Sequence, residues 1–486
     1  MNKTIARLIL VVLIILGLFL RLPGIWQGGF AFTYDAGRDL LAVRDLVVNH
    51  KFSLLGPTSG QIGIYYGPWW YWFLTIPFVI FKGNPVGVAT FIALFGLLAV
   101  PLAYFWRERK SDAAGGLFLA TIFSVVPFFV SATTQIWSPD LVVTGTLLSV
   151  ILLSQFNQLT KAGLFSLGFM LVLLVEMEMV YGGIFLLATG VSLLLWQRKI
   201  WENRRWAYIV LGVFVGEFPR ILFELRHQLL QTKILFQMLS ARSLVVNYSD
   251  RLMLFWEKNF VVLPGQAFAL QLAILAVVML FLVISVKKHS IEDRTLIKIL
   301  VTITGCFLIF TLSYPKEFWQ YYLYGIPVLT AIIVSQALQG LTKLIGKKLP
   351  YVIPLIYLLW LINPSQLFQR LSNHTFVGDA AVFRNQLEIL DYIFKDAGED
   401  FNYIAYTPPQ HDYTWQYLFW WKGRYDYGYG QTHKHVGKMY VIIEPDQAYP
   451  ARIKDWLDLR KDDGIIYQEK QFASGIIVQT RLRSVD

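Results

Sequence analysis

Carboxylates stand where an apolar chain has little reason to keep them. Asp35, Asp39 and Asp45 crowd the stretch "FAFTYDAGRDLLAVRDLVVNH" directly after the first long hydrophobic run, with Arg38 and Arg44 between them. Asp140 follows Ser138 and Pro139 in "QIWSPDLVV", and Glu176 and Glu178 interrupt another apolar run in "EMEMVYGG". Cations gather in "FPRILFELRH", which holds Arg220, Arg226 and His227, and Lys316 lies in "YPKEFWQYY". A carboxylate in a dry cleft can take a proton from a hydroxyl, and a guanidinium can hold an oxyanion. Charge this close to membrane-like sequence is expensive, which points to function before accident.

The elements that must position these groups are apolar helices. Of 486 residues, 56% are hydrophobic and 15% are charged, against about 25% charged in soluble domains, so the composition is that of a polytopic membrane protein. The net charge of +11 carries no nucleic-acid signal. In such a chain Lys and Arg mark cytoplasmic loops and membrane lipid headgroups. The single cysteine, Cys306, excludes an intramolecular disulfide framework. Lys3 and Arg7 precede an apolar core with no small-residue cleavage site after it, so the N-terminus reads as a retained first span.

A span needs roughly 17–25 mostly apolar residues, and the candidates are 5–22, 86–106, 113–131, 139–157, 163–181, 182–197, 207–225, 260–286, 296–313, 319–341 and 349–363. A further segment, 66–81, is short and broken by Pro68 and Pro77. If it lies along the outer face without crossing, the basic loops 107–110, 197–205, 287–289 and 343–348 all share the side of Lys3 and Arg7, as the positive-inside rule requires. The expected fold is therefore mainly α: about eleven transmembrane helices, with juxtamembrane helices in a first external loop of about 23–85. The N-terminus is expected in the cytoplasm, and the clustered acids share the opposite face. From 365 to 486 the composition turns soluble. Strands at "FNYIAYT" and "MYVIIEP", helices at 383–397, "YTWQYLFWWKG" and "YPARIKDWLDLRKD", and a terminal hairpin predict a small extracytoplasmic α/β domain beyond a membrane domain of 1–364.

Each candidate has a plainer reading. Asp35 could cap a helix or pair with Arg38 at the membrane surface, and Asp39 could belong to a solvated helix face. "SPD" is also an ordinary helix start. Glu176 and Glu178, two apart on a continuous helix, would not face the same way, so one at most would line a cavity. Arg220 and Arg226 could pair with Glu217 and Glu224. The aromatic run 65–73 suits a membrane surface as well as a cleft, and 411–421 suits a buried core helix. No paired-histidine metal spacing occurs.

An acid just outside the first span, followed by an outer aromatic segment with proline, resembles the GT-C-type integral-membrane glycosyltransferases, in particular the protein O-mannosyltransferase and lipid A aminoarabinose transferase group. The residues that carry the likeness are "TYDAGRD" (33–39), "YYGPWWYWFL" (65–74), "QIWSPDLVV" with Asp140, "FPRILFELRH" (218–227) and "YPKEFWQYYLYGIPVL" (314–329), within roughly 1–340. The second acid of the family's Asp-Glu pair is Ala36 here, leaving Asp35 alone or with Asp39 as its partner. The resemblance implies transfer of a sugar from a polyprenyl-phosphate-linked donor to a lipid, glycan or protein acceptor at the outer face of the plasma membrane. Asp35 would be the base, with Asp39 and Asp140 in support. A substrate cleft would include Tyr34, Arg38, Tyr65, Tyr66, Trp69, Glu176, Glu178 and Tyr321. A divalent cation (Mg or Mn) bridging carboxylates and donor phosphate is compatible with some relatives. The chemistry agrees: attack on the anomeric carbon needs one base, and the leaving phosphate monoester needs cations and no acid. Arg220, Arg226, Lys316 and His227 are the candidates for that phosphate, and a single displacement inverts the anomeric carbon. A transporter or flippase of lipid-linked sugars is the alternative, although no internal repeat is visible.

Overall fold

The computed structural model describes residues 3–60, 63–240, 246–263, 268–345, 379–408 and 411–484. The expected span 349–363 and the domain boundary near 365 lie outside them. Helix α1 (Lys3–Trp26) leads to α2 (Tyr34–Val47), whose start is capped by the Thr33 hydroxyl. The aromatic segment forms α3 (Trp69–Ile80), 12 residues or about 18 Å long, too short for a hydrocarbon core of about 30 Å. Helices α4 (Pro85–Leu97) and α5 (Ala99–Arg109) make one kinked span of 25 residues. Next come α6 (Ala113–Val125), the short α7 (Pro127–Ser131) and α8 (Leu141–Ser154), the last entered through a 3-10 turn at Ser138–Asp140. Helices α9 (Lys161–Met177), α10 (Met179–Trp196) and α11 (Arg205–Arg226) follow. Two further helices, α12 (Leu230–Ser240) and α13 (Tyr248–Asn259), lie in a long connection. The bundle continues with α14 (Phe268–Ser285), α15 (Ile291–Ser313) and α16 (Ile326–Ile345). Among the described residues, six helices are long and apolar enough to cross a membrane. The chain is an integral membrane protein of mainly α class.

The basic stretches 107–110, 197–205 and 287–289 gather at one end of the bundle, and the second half of the fourth, 343–348, lies outside the described residues. There Arg7 pairs with Glu108 at 3.3 Å, Lys110 with Asp293 at 3.2 Å, and the Arg205 guanidinium donates to the carbonyl of Leu159 at 3.4 Å. Arg107 and Asp112 form a fully buried pair, and the free carboxylate oxygen of Asp112 caps α6 through the Gly115 amide at 3.0 Å. The carboxylates of interest sit at the opposite ends of the same helices.

One charge crosses this pattern. Arg21, buried inside α1, uses all five of its N–H donors: Nε to Thr133 Oγ1 (2.8 Å), Nη1 to the carbonyls of Gly17 (3.1 Å) and Ser124 (2.9 Å), and Nη2 to those of Phe123 (2.8 Å) and Phe129 (3.0 Å). Val126 turns extended (ψ 127°) before Pro127, so the carbonyls of Phe123 and Ser124 lose their helical partners. The guanidinium replaces them.

After the bundle, α17 (Phe383–Ala397), α18 (Tyr413–Lys422) and α19 (Pro450–Asp458) pack with a four-stranded sheet of β1 (Asn402–Tyr406), β2 (Lys438–Ile443), β3 (Ile465–Gln471) and β4 (Ile477–Leu482). The strand order is β1-β2-β4-β3, parallel between β1 and β2 and antiparallel elsewhere. Helix α18 is a core helix, with Trp415, Tyr417 and Leu418 fully buried, so the aromatic run 411–421 takes its plainer reading. This unit sits directly on the first loop. Phe32 N donates to Ala381 O (2.8 Å), Arg384 N to Gly28 O (3.0 Å), and Phe30 stacks on Phe383 at 5.1 Å. At Gly37 a Cβ would fall 2.5 Å from the Thr414 amide nitrogen, so only glycine lets α2 approach α18 this closely.

Candidate active site

Asp35 occupies the first turn of α2, next to the helix N-terminus, where the backbone dipole favours a carboxylate. Its side chain keeps 39% of its exposure, and its Oδ1 meets Arg38 Nη1 at 2.8 Å. Arg38 is held from behind by Asp39, with Nη2 at 2.8 Å and Nε at 2.9 Å from the same oxygen. Asp39 is fully buried; its Oδ2 accepts from Trp70 Nε1 at 2.7 Å, and Tyr71 OH lies 3.4 Å from Oδ1. Burial pushes the Asp39 carboxyl up to about 6 against the pull of Arg38, so it is an anion at neutral pH. The same burial, with the Asp39 anion alongside, raises the Tyr71 phenol. The solvated-face reading of Asp39 is thereby corrected. The 3.6-residue repeat turns this carboxylate toward α3, and Trp70 closes over it.

Tyr34 forms the lip beside this triad. Its ring lies 5.8 Å from the Arg38 guanidinium and 5.1 Å from Tyr413, and His411 covers it at 6.2 Å. Tyr321 is within electrostatic reach of both Asp35 and Glu178 and packs edge-on against Trp137 at 5.5 Å. Tyr66, in turn, interacts with Glu178, Tyr321 and Tyr322. Tyr65 anchors the loop by donating its amide to Gln231 Oε1 at 2.6 Å, and Trp69 Nε1 reaches the Gly216 carbonyl of α11 at 2.7 Å.

The two glutamates differ from expectation. The chain leaves the helix at Glu178 (φ −150°, ψ 109°), so α9 and α10 are separate and both side chains are buried. Glu178 caps α10 by accepting from the Tyr181 amide. Glu176 faces Arg220 at 3.8 Å and presses against Gly67, where a Cβ would stand 2.1 Å from its Oε2. Residues two apart face different ways only on an unbroken helix, and the helix ends at Glu178. Asp140 is fully buried at the foot of α8, and neither carboxylate oxygen has a hydrogen-bond partner among the described residues; Tyr324 is within its electrostatic reach.

The cations separate into two groups. Arg220 is bidentate with Glu217 (2.8 and 2.5 Å) and faces the site through Glu176. Arg226 is exposed at the end of α11, and Glu224 turns away from it to cap α12, accepting from the amides of Gln231 and Thr232 at 3.0 Å each. His227 stacks on Phe223 at 4.0 Å with Nδ1 2.9 Å from that residue's carbonyl. Lys316 offers its carbonyl to Arg251 Nη2 at 2.7 Å. Arg251 is the cation that residue spacing did not reveal. It lies 4.6 Å over the Phe318 ring and acts on Tyr314, which is itself coupled to Glu178. A lone arginine in an amphipathic helix has no periodic signature, and its partners come from a segment 65 residues away. Among the described residues, no group of three or more His, Cys, Asp or Glu is placed to hold a metal ion.

No family model matches the chain, and no curated protein matches it. Solved structures do. A crystal structure of ArnT from Cupriavidus metallidurans bound to undecaprenyl phosphate is 12% identical, covers 99% of this chain and 98% of its own, and superposes with a TM-score of 0.59. The apo form of the same protein is 10% identical, with a TM-score of 0.60 over 98% and 97% of the two chains. From the first span to the terminal hairpin, this chain has the GT-C-type fold of those ArnT structures.

Proposed function

We propose that this protein is a polyprenyl-phosphate-sugar-dependent glycosyltransferase of the plasma membrane, acting at the extracytoplasmic face. The observation that carries this reading is the arrangement around Asp35, an accessible carboxylate whose neighbour Arg38 is locked by a buried second carboxylate, with Tyr321 in electrostatic reach of both Asp35 and Glu178. In this reading Asp35 removes the proton from the acceptor hydroxyl as its oxygen attacks the anomeric carbon. The bond from that carbon to the carrier phosphate breaks, and polyprenyl phosphate departs with the electron pair. One displacement inverts the anomeric centre. Arg251 and Arg220 are the cations best placed near the acidic and tyrosine groups to bind the departing phosphate. Arg226 and His227, on the exposed end of α11, would touch only a headgroup lying along the membrane surface. The ArnT neighbour was crystallised with undecaprenyl phosphate, which supports a carrier of this class. The acceptor is a hydroxyl-bearing lipid, glycan or protein.

The test is purified protein supplied with a panel of polyprenyl-phosphate sugars, following released polyprenyl phosphate. Asp35→Asn is expected to lower turnover by at least about 100-fold, the scale of general-base catalysis, with unchanged thermal midpoint and carrier binding. Full turnover in that variant would remove Asp35 from the role, and carrier-linked sugar crossing the bilayer without release of phosphate would favour a flippase.

A further inference from the structure

At the end of the bundle remote from Asp35, a cleft of about 920 Å³ opens between α5, α8 and α15. Its wall is apolar, made by Leu98, Pro101, Leu102, Phe105 and Ile151, and it runs out onto the flank of the bundle, where Leu98 is 48% and Phe105 41% exposed. Its other end is polar, with Arg109, Lys110, Gln155, Ser290, Glu292 and Asp293. The walls are tied together. Trp106 Nε1 donates to Ser154 Oγ at 2.9 Å, Lys110 bridges to Asp293 at 3.2 Å, and His289 meets Gln339 at 3.2 Å. Lys110 and Asp293 therefore neutralise each other. Arg109 closes the last turn of α5 and Glu292 lies in the first turn of α15, and neither has an ion-pair partner among the described residues.

An apolar furrow facing lipid and ending in one unengaged cation and one unengaged anion matches a particular ligand chemistry. The chain wants acyl groups along the wall, a phosphate at Arg109 and a hydrogen-bonding ammonium at Glu292. A purely anionic headgroup would leave Glu292 opposed. A trimethylated headgroup would lack the N–H donors that Glu292 accepts. We propose that this cleft is a binding site for an amine-bearing zwitterionic glycerophospholipid of the phosphatidylethanolamine class, in the leaflet opposite the carboxylate cluster. Helix α15 runs from this cleft to Tyr314 beside Glu178, so an occupied cleft braces the same helix that lines the outer site.

The experiment is native mass spectrometry of the delipidated, full-length protein in nonionic detergent, offered equal amounts of dioleoyl phosphatidylethanolamine, its N-methyl, N,N-dimethyl and trimethyl (phosphatidylcholine) forms, and phosphatidylglycerol. Retention is expected to fall stepwise with methylation, ending roughly fivefold below the parent lipid, the size of one charge-assisted hydrogen bond at a half-exposed site. Glu292→Gln should erase that preference without shifting the lipid-free thermal midpoint, and Arg109→Gln should weaken all of the lipids. Equal retention across the methylation series, stronger retention of phosphatidylglycerol, or a preference that survives Glu292→Gln would each overturn the proposal. The methylation series on the unmodified protein needs no variant to fold.

Discussion

Arg38 is the residue on which the candidate site turns, because it meets Asp35 and Asp39 at once, each at 2.8 Å. Asp39 is buried and engaged by Arg38 and Trp70, so its geometry positions Arg38. Its raised value, about 6, gives two pH effects of opposite sign. The folded chain holds this proton more tightly than the unfolded chain does. The contribution of Asp39 to stability therefore declines as pH rises from about 4 to about 6 and is flat above. Over the same interval the anion that fixes Arg38 is being formed, so kcat/KM should rise with pH, by about tenfold per unit below 6 for a single ionisation. Asp39→Asn should retain the Trp70 hydrogen bond, lose the acid limb near pH 6 and lower kcat more than it raises KM. A limb that persists unchanged in that variant would assign it to another group. Arg251 belongs to the same scale. Arg251→Ala should weaken carrier-phosphate binding by about 1.5–3 kcal/mol, the range for a hydrogen bond to a charged group, measured as Kd for polyprenyl phosphate in detergent. An unchanged Kd would exclude Arg251 from the phosphate site.

Two elements owe their form to a single side chain each. The break between α6 and α7 exists at tolerable cost only because Arg21 supplies donors to the carbonyls that Pro127 strands. Lysine offers three donors where five acceptors are waiting. Arg21→Lys should therefore destabilise the bundle by about 3 kcal/mol or more, since each buried polar group left unmatched costs about 1–3 kcal/mol. A detergent-phase melt reads this directly. In the C-terminal unit, α18 is joined to the end of β2 by the bond from Trp415 Nε1 to Glu444 Oε1 at 2.8 Å. Burial raises the Glu444 carboxyl to about 7, with the Trp415 hydrogen bond opposing and the Asp412 charge adding to the rise. The charged form is the disfavoured one, so stability from this group is lost as pH climbs toward 7. Glu444→Gln keeps an acceptor for Trp415 and should raise the melting temperature at pH 8 while leaving it unchanged at pH 5. A gain at both values would mean the effect is not titration.

At the scale of the whole molecule, the C-terminal α/β unit is part of the site's frame. It pairs backbone with residues 28–32, stacks His411 and Tyr413 around Tyr34, and abuts Gly37. With the carboxylates at one end of the bundle and the described basic loops at the other, a reporter fused after Ser484 should signal the extracytoplasmic side; a cytoplasmic signal would invert the proposed orientation. Much of this architecture was legible in residue order. Hydrophobic run lengths pointed to the long apolar helices, Pro68 and Pro77 marked a short helix, and alternation with turn residues located the terminal strands and helices. Those features are local, set by what each segment can bury and where its backbone bonds can close. Asp35 stood out for the same reason, as a charge at the mouth of an apolar run. What tertiary structure alone decided is partnership. Asp39 became buried because Trp70 folds onto it, Glu176 and Glu178 turned inward together because the helix parts between them, and Arg251 reached the tyrosines through a segment far along the chain. Residue spacing carries the period of a helix. It does not carry which face a distant helix will cover, and the energy of a charge in a membrane protein depends almost wholly on that cover.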